Sequence, residues 1–383
     1  MLPPRTAGFQ PASSSKLATA KQYEAPQCRL EAGGPLWRHA ASILAAFAFV
    51  CCSTATAQPA YRWSIVVHGG AGVIERASMA PELEVQYRAA MNHALQTGGA
   101  VLDHGGSSLD AVQAVISEME DDPIFNAGRG AVFAADGTNQ LDASIMDGRT
   151  RAAGAVAGVT HTRHPIQLAR AVMEHSPHVM LQGAGADEFA RTQGLEQVTP
   201  SFFFTERRWQ QLEEELRAHN LPVPPRPAGA PPAPHAADTH NADDHRFGTV
   251  GVVAMDMRGD LAAGTSTGGL TAKRWGRLGD TPVIGAGTYA QNGVCAVSAT
   301  GTGEFFIRVG VARDICARME LRHESAERAA REVFAELDAI HGDGGVIVLD
   351  RRGRGAWRFN TPGMYRAHLE QGGQPVVAIF ANE

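Results

Sequence analysis

A threonine stands where a proline-rich segment gives way to an apolar strand pattern. Gly248-Thr249 ends that segment, and residues 249–255 read Thr-Val-Gly-Val-Val-Ala-Met. If the bond before Thr249 were cut, one residue would supply a hydroxyl nucleophile and an α-amine base with a pKa of about 7.7 to 8.0. No histidine or aspartate partner would then be required. Taken alone the pattern is weak, because any strand can begin with threonine.

Two shorter motifs point to other chemistry. Gly264-Thr265-Ser266-Thr267-Gly268 matches Gly-x-Ser-x-Gly, the strand-to-helix turn that exposes a nucleophilic serine. Residues 285–290 match Gly-x-Gly-x-x-Ala, a dinucleotide-binding pattern. Both motifs require a following helix, and neither is followed by an apolar helical period. Both are disfavoured, and a serine hydrolase using Ser266 is kept as an alternative.

Composition excludes several classes of protein. The 383 residues carry 34 Lys+Arg against 40 Asp+Glu, a net charge of −6, so no basic field exists for nucleic acid or an anionic membrane. The lysines are Lys16, Lys21 and Lys273, and no Gly-Lys-Ser/Thr occurs. A P-loop nucleotide site is therefore excluded, and Schiff-base chemistry would have to use Lys273.

Patterns typical of β-hairpins and of helices alternate along the chain. The strands and helices that they predict must position the candidate residues. We expect helices at 81–96, from 107 or 108 onward, and at 166–174, 206–219, 304–322 and 326–340. We expect strands at 64–67, 131–135, 141–146, 154–160, 249–255, 261–266, 293–300, 345–349, 355–359 and 376–380. This pattern predicts an α+β domain of antiparallel sheets covered by helices.

The N-terminal region reads as an export signal. Residues 43–50 are apolar, Arg38 and His39 precede them, and Ala55-Thr56-Ala57 is a small-x-small cleavage site. The apolar run is too short to span a bilayer. Residues 1–57 are therefore predicted to be a signal peptide with a long n-region, so the protein would be exported, to the periplasm, and free of the membrane after processing. Of five cysteines, Cys295 and Cys316 would remain, and we expect from them neither a disulfide framework nor a metal site.

The rest of the chain divides at a linker. Seven prolines fall within residues 222–234, and a polar stretch follows them. Such a linker usually separates domains. The same hairpin style continues beyond it, so we expect one hydrolase domain in two parts, 58–220 and 249–383, joined by a Pro/Ala-rich linker at 221–248.

Several further motifs occur in a familiar order. They are His68-Gly69-Gly70-Ala71-Gly72, Phe125-Asn126-Ala127-Gly128, Leu141-Asp142-Ala143, Gly248-Thr249-Val250-Gly251, Thr265-Ser266-Thr267-Gly268-Gly269, Gly276-Arg277-Leu278-Gly279-Asp280 and Thr300-Gly301-Thr302-Gly303-Glu304. With them the chain resembles, from Ser64 onward, the plant-type asparaginase and isoaspartyl peptidase family of N-terminal-nucleophile hydrolases. The resemblance implies a four-layer αββα sandwich, self-cleavage between Gly248 and Thr249, and a dimer of cleaved protomers.

The resemblance also implies a role for each matching residue. Thr249 would be the nucleophile and Thr267 the threonine that helps to activate it. Thr300 and the Gly301 N–H would form the oxyanion hole, where donors stabilise the tetrahedral intermediate. The remaining roles are Arg277 on the substrate α-carboxylate, Asp280 with the Gly303 backbone on the α-ammonium, and Asn126 in support. The plain alternative for Arg277 and Asp280 is a surface ion pair of little energetic value.

Two details refine the expected subfamily. Glycosylasparaginases tend to carry Thr-Ser-Thr-Asn-Gly and Thr-Gly-Asn-Gly, whereas this chain has Gly268-Gly269 and Thr302-Gly303. In the asparaginase subfamily, which this chain resembles more, a loop binds a structural sodium ion mainly through backbone carbonyls. Such ligands leave almost no sequence signal. The corresponding residues here are Met119, Glu120, Asp122, Phe125, Ala127 and Arg129.

Together these observations predict a self-processing amidohydrolase. It would cleave β-aspartyl dipeptides and L-asparagine through a β-aspartyl-Thr249 ester, without a catalytic cofactor. The alternatives are a glycosylasparaginase-like hydrolase of the same fold, the serine hydrolase that uses Ser266, and a catalytically silent member of the family.

Overall fold

The computed structural model describes residues 61–232 and 248–383. The predicted signal peptide and the second half of the predicted linker lie outside these residues. Within them, none of the helices has the length and hydropathy needed to cross a bilayer.

Twelve strands of the described residues form two sheets. They are β1 (Ser64–Gly72), β2 (Leu141–Asp147), β3 (Ala153–Val159), β4 (Met180–Gln182), β5 (Val250–Met255), β6 (Leu261–Thr267), β7 (Thr288–Gln291), β8 (Cys295–Gly301), β9 (Gly344–Asp350), β10 (Gly355–Phe359), β11 (Gly363–Glu370) and β12 (Val376–Phe380). One sheet has eight strands in the order β12-β11-β1-β5-β6-β2-β3-β4, and the other has four in the order β10-β9-β8-β7. All neighbours are antiparallel except β3 and β4.

The described residues also form eight α-helices, several of which pack on the sheets. They are α1 (Pro81–Asp103), α2 (Ser108–Asp121), α3 (Pro165–His175), α4 (Gly183–Thr192), α5 (Glu206–Ala218), α6 (Gly303–Val309), α7 (Val311–Leu321) and α8 (Ala326–Ala339). α1, α2 and α3 pack on the eight-stranded sheet, and α7 and α8 pack on the four-stranded sheet. The predicted α+β class is confirmed.

The two sheets also pack on each other, which explains the composition of their strands. β1 and β5 contact β8 and β9, so both faces of these strands are buried. A strand buried on both faces is apolar throughout rather than alternating. One apolar cluster lies between the eight-stranded sheet and its helices, and a second runs from between the sheets to α7 and α8.

Antiparallel pairing brings distant motifs together at one end of the sheets. Val250 pairs with Ser266, so Thr249, directly before β5, lies beside Thr267 at the end of β6. β8 of the facing sheet packs against both strands and ends at Thr300-Gly301.

Some predicted elements were wrong. Residues 131–135 are not a strand, because their backbone bonds with a loop, as when Ala135 N–H donates to the Lys273 carbonyl (2.9 Å). The helix predicted at 304–322 is two helices, since Gly310 adopts φ +70° and interrupts it. The strands β4, β7 and β11 and the helix α4 were not predicted.

The cysteine prediction was also wrong. Cys295 on β8 and Cys316 on α7 form a disulfide, with their Cα atoms 5.8 Å apart and both residues fully buried. That separation is the usual one for a disulfide. The bond joins a strand to the helix that covers it, a neighbourhood that follows from tertiary packing and not from sequence spacing.

The first half of the predicted linker packs against the domain. Arg226 donates to both carboxylate oxygens of Glu206 on α5, at 2.7 Å each. Its guanidinium also lies 5.5 Å from the ring centroid of Phe204 and 5.8 Å from that of Trp209. Residues 221–232 are therefore anchored to α5.

Candidate active site

The Thr249 hydroxyl is already oriented by its neighbour on β6. It donates a hydrogen bond of 3.0 Å to Thr267 Oγ1, which also accepts the Gly269 N–H at 3.0 Å. The ladder between β5 and β6 pairs their neighbours Val250 and Ser266, which brings both threonines to the same end of the sheet. The predicted pair therefore meets, with Thr267 held by two donors.

The carbonyl of Gly248 has a fixed donor of its own. The backbone N–H of Asn126 donates to it at 3.1 Å, while the Asn126 carbonyl accepts the Gly268 N–H at 3.0 Å. The Asn126 side chain donates to the Gly269 carbonyl at 2.8 Å and accepts the Val132 N–H at 2.9 Å. Asn126 thus ties the bond before Thr249 to the loop that follows Thr267.

Glycine is required where the first strand approaches this bond. Gly70 adopts φ +111°, and a Cβ atom there would lie 2.5 Å from the Gly248 Cα. A Cβ atom on Gly248 would lie 2.8 Å from that of Asn126. The motif at residues 68–72 therefore packs its backbone directly on the predicted cleavage position.

The predicted oxyanion hole lies at the end of β8. The Thr300 hydroxyl is buried and has no hydrogen-bond partner among the described residues. A Cβ atom on Gly301 would lie 2.4 Å from the Asp343 carbonyl oxygen, so only glycine fits there. An unpaired buried hydroxyl is costly unless a ligand satisfies it, which is consistent with a role as a donor.

Asp280 is buried near Arg277 but does not pair with it. Arg277 donates instead to Glu304, with Nε to Oε1 at 2.8 Å and Nη2 to Oε2 at 2.7 Å. Burial raises the pKa of Asp280 to about 7, and one of its carboxylate oxygens has no partner within the described chain. A surface ion pair between Arg277 and Asp280 is therefore excluded.

Several of these groups line one small pocket. It is lined by Gly248, Thr249, Thr267, Gly269, Leu270, Arg277, Gly279, Asp280, Thr281 and Gly301. Gly303 lies behind Asp280, where a Cβ atom would be 2.9 Å from Asp280 Oδ1. A larger groove beside residues 293–294, 319–326 and 350–354 lies at the opposite end of β8 and contains none of these groups.

Ser266 points away from this pocket. Its hydroxyl is fully buried and donates to Glu120 Oε1 at 2.6 Å, on the face of β6 that packs against α2. Burial raises the pKa of that carboxyl group to about 8. The serine-hydrolase alternative was therefore wrong, because successive strand residues face opposite sides and Thr267 faces the pocket. The dinucleotide alternative also fails, since residues 288–291 form a strand.

A chain of buried polar groups beneath the pocket was not predicted. It links His68 Nε2 to Ser298 (3.0 Å), Ser298 to Thr265 (2.7 Å), Thr265 to Thr288 (2.6 Å), Thr288 to Ser144 (2.8 Å) and Ser144 to the Thr281 carbonyl (2.6 Å). Thr265 and Ser298 lie two residues before Thr267 and Thr300, and therefore on the same strand faces. Burial lowers the pKa of His68 to about 3, so its ring is neutral. The two-residue spacing of Thr265 from Thr267, and of Ser298 from Thr300, is the sequence signal from which this chain of polar groups could have been predicted.

Lys273 and Asp142 form a second buried support. Lys273 Nζ donates to the Gln140 carbonyl at 2.7 Å and lies 3.9 Å from Asp142 Oδ2. Asp142 is paired with Thr267 in the ladder between β2 and β6. Burial lowers the pKa of Lys273 and raises that of Asp142, while their opposite charges counteract both shifts. Lys273 lies outside the pocket lining, so it is placed to support the site.

The loop predicted to bind sodium curls back on itself. Gly128 adopts φ +48°, and a Cβ atom there would lie 2.2 Å from the Glu120 carbonyl oxygen. The Phe125 carbonyl oxygen would lie 2.0 Å from a Cβ atom on Gly130. No cluster of His, Cys, Asp and Glu side chains suited to a metal occurs in the described part of the chain. Backbone carbonyls thus gather in this loop, and the sodium ion stays a prediction.

The chain is similar in sequence to a known family and to several known proteins. Residues 61–379 match the family model described as asparaginase. The chain is 47% identical over 317 residues to the isoaspartyl peptidase of Escherichia coli, an alignment that covers 82% of this chain and 95% of the relative. It is 46% identical over 317 residues to the isoaspartyl peptidase of Salmonella typhimurium, covering 82% and 98%. It is 40% identical over 319 residues to the isoaspartyl peptidase/L-asparaginase of Xenopus laevis, covering 83% and 96%.

Proposed function

The chain belongs to the asparaginase family, and we propose that it is a self-processing amidohydrolase that cleaves β-aspartyl dipeptides and L-asparagine. One observation carries the proposal most directly. The Thr249 hydroxyl is oriented by Thr267, and the carbonyl before it is hydrogen-bonded by the Asn126 N–H. We further propose that the sheets and their helices form a four-layer αββα sandwich.

Maturation would begin with attack of Thr249 on the bond before it. The hydroxyl oxygen bonds to the Gly248 carbonyl carbon, and the Asn126 N–H lies where negative charge develops on the carbonyl oxygen. The carbon–nitrogen bond breaks, leaving an ester and a free Thr249 amine that gains the hydroxyl proton. Water then hydrolyses the ester, which releases the Gly248 carboxylate and restores the hydroxyl.

Turnover would use the same hydroxyl with the new amine as its base. Thr249 attacks the side-chain carbonyl of the substrate, and the amine passes the hydroxyl proton to the leaving nitrogen. The Thr300 hydroxyl and the Gly301 N–H would stabilise the oxyanion. In support, Gly301 lines the pocket and the buried Thr300 hydroxyl has no hydrogen-bond partner among the described residues. Water then cleaves the β-aspartyl-Thr249 ester. Every proton in this sequence is carried by the chain, the substrate or water, so the proposed reaction requires no cofactor.

Substrate selection would follow from the two charges at the far side of the pocket. Arg277 would bind the α-carboxylate and Asp280 the α-ammonium, which leaves the side-chain carbonyl to face Thr249. The group beyond that carbonyl, an amide NH2 or a peptide, is contacted by neither residue. The glycosylasparaginase alternative is disfavoured by Gly268-Gly269 and by the relatives, which are named isoaspartyl peptidases.

The proposal includes export and assembly. The apolar run before Ala55-Thr56-Ala57 supports a signal peptide, and the bond between Cys295 and Cys316 suits an oxidising compartment such as the periplasm. We also propose that the cleaved protomers form a dimer and that the loop at 119–129 binds a structural sodium ion. Light scattering of the purified enzyme and its periplasmic recovery with Gln58 as first residue would test these parts.

The reaction itself is tested by steady-state kinetics on three substrates. β-Asp-Leu and L-asparagine should both be hydrolysed, since both place the side-chain carbonyl at Thr249. α-Asp-Leu should not react, because its scissile carbonyl would occupy the position of the bound α-carboxylate. Comparable turnover of α-Asp-Leu, or no turnover of the other two by fully cleaved protein, would contradict the proposal.

A further inference from the structure

Arg277 presents two separate edges of its guanidinium group. Glu304 accepts hydrogen bonds from Nε and Nη2, so this edge is already occupied. Nη1 and the second proton of Nη2 remain as a second edge for another planar acceptor. The Nη1 side lies over Gly279, where a Cβ atom would be 2.9 Å from Nη1. Gly279 also lines the pocket, so this free edge is on the pocket side.

We infer that Glu304 is a positioning residue that holds Arg277 by one edge so that the other edge meets the substrate α-carboxylate. This inference rests on the proposed function and adds a residue to it. An arginine side chain has several rotatable bonds, and restraining them before binding lowers the entropic cost of forming the complex. Glu304 would therefore favour substrate binding without touching the substrate.

The start of α6 makes this restraint rigid. Gly303 packs on Asp280 and the next residue, Glu304, holds Arg277, so adjacent positions of one helix contact both substrate-binding residues. Phe306 in the same helix is fully buried, and a Cβ atom on Gly301 would lie 2.7 Å from its ring. The first turn of α6 therefore connects the predicted oxyanion hole to Arg277 and Asp280.

Charge and exposure are consistent with a positioning role. The Glu304 side chain is 49% exposed and that of Arg277 is 17% exposed, so the carboxylate lies on the solvent side of the guanidinium. The hydrogen bonds from Arg277 hold the pKa of Glu304 below its usual value, so the carboxylate stays ionised at neutral pH. The opposite interpretation is that Glu304 competes with substrate for Arg277, and removing it would then improve binding.

A double-mutant cycle separates these interpretations. Kinetics on L-asparagine would be measured for Glu304→Gln, Arg277→Met and the double variant. Glutamine keeps one acceptor oxygen but loses the charge, so KM should rise by about three- to ten-fold with kcat little changed, the range expected for the net loss of one hydrogen bond. Glu304→Ala should raise KM further. In the Arg277→Met background, Glu304→Gln should have no further effect.

A matched control is available on α7. Glu320 accepts a hydrogen bond from Arg313 at 3.1 Å and lies outside the pocket, so Glu320→Gln should leave KM unchanged. Every variant should be cleaved before Thr249 as completely as wild type, which checks folding independently of substrate.

Several results would overturn the inference. They are a fall in KM or no change in KM for Glu304→Gln, a loss confined to kcat, and an effect of equal size with and without Arg277. Any of these with an active wild type rejects the role of Glu304 alone. A fully cleaved wild type that hydrolyses neither β-Asp-Leu nor L-asparagine rejects the proposed function and this inference together.

Discussion

The two sides of the pocket are built differently. The cleavage junction (Gly248, Thr249, Thr267 and Asn126) is held by backbone hydrogen bonds, and its hydroxyl groups already contact each other. The clamp (Arg277, Asp280 and Glu304) is held by charged side chains. Among the described residues, one edge of its guanidinium group and one carboxylate oxygen of Asp280 have no partner. The hydrogen bonds of the junction are all made within the chain, as the proposed self-cleavage requires. In the proposed reaction the charges of the substrate would complete the clamp.

The largest effect should come from crowding the junction. Gly70→Ala should abolish cleavage, because its Cβ atom would lie 2.5 Å from the Gly248 Cα and its φ of +111° disfavours any side chain. Cleaved and uncleaved chains would be quantified by denaturing gel electrophoresis. The control is Gly105→Ala, which has φ +80° but open space around it, and this variant should be cleaved. Normal maturation of folded Gly70→Ala protein would show that the close approach is unimportant.

The next effect should separate the two sides. Arg277→Lys keeps the charge but loses the planar donor arrangement, so kcat/KM for L-asparagine and β-Asp-Leu should fall roughly ten- to a hundred-fold, or ~1 to 3 kcal/mol. Cleavage before Thr249 should stay complete, because the side-chain hydrogen bonds of Arg277 go to Glu304 and not to the junction. Impaired cleavage, or kinetics equal to wild type, would mean that the two sides are not independent or that the clamp is misassigned.

Asp280 should make ligand binding depend on pH. Burial raises its pKa to about 7, and only its ionised form attracts an α-ammonium group. As the pH falls from 8 to 6 the carboxylate is protonated, so the inhibition constant of the product L-aspartate should rise about tenfold. Asp280→Asn should bind weakly and without this dependence. Wild-type inhibition that is flat over this range, or an unchanged dependence in Asp280→Asn, would contradict the assignment.

The smallest effect on turnover should come from the disulfide, which belongs to neither side. Replacing both Cys295 and Cys316 by alanine should lower stability by ~2 to 4 kcal/mol, measured by denaturant unfolding, with kcat/KM close to wild type. A reductant should lower the stability of wild type and leave the double variant unchanged. Free thiols in wild type denatured without reductant would disprove the bond.

Sequence predicted the junction better than the clamp, for a physical reason. Thr249 directly precedes β5 and Thr267 ends β6, and the antiparallel pairing of these two apolar strands brings the two motifs together. The hydrogen bonds between Arg277 and Glu304 join a loop to the start of a short helix, 27 positions apart with β7 and β8 between them, and no local pattern encodes them. The spacing of three between Arg277 and Asp280 left a surface ion pair open as the plain alternative, and the structure excludes it, since Asp280 is buried and Arg277 pairs with Glu304. The disulfide and the buried support at Lys273 and Asp142 likewise depend on tertiary packing.

The self-cleaving junction is the central claim, and intact mass together with N-terminal sequencing of the purified protein tests it most directly. Wild type should yield two chains, one beginning at Thr249 and running to Glu383, and it should hydrolyse β-Asp-Leu. Thr249→Ala should stay as a single inactive chain, because the attacking hydroxyl is gone while the fold is kept. A wild-type protein that is active as one uncut chain, or a second chain that begins at any residue other than Thr249, would contradict the account.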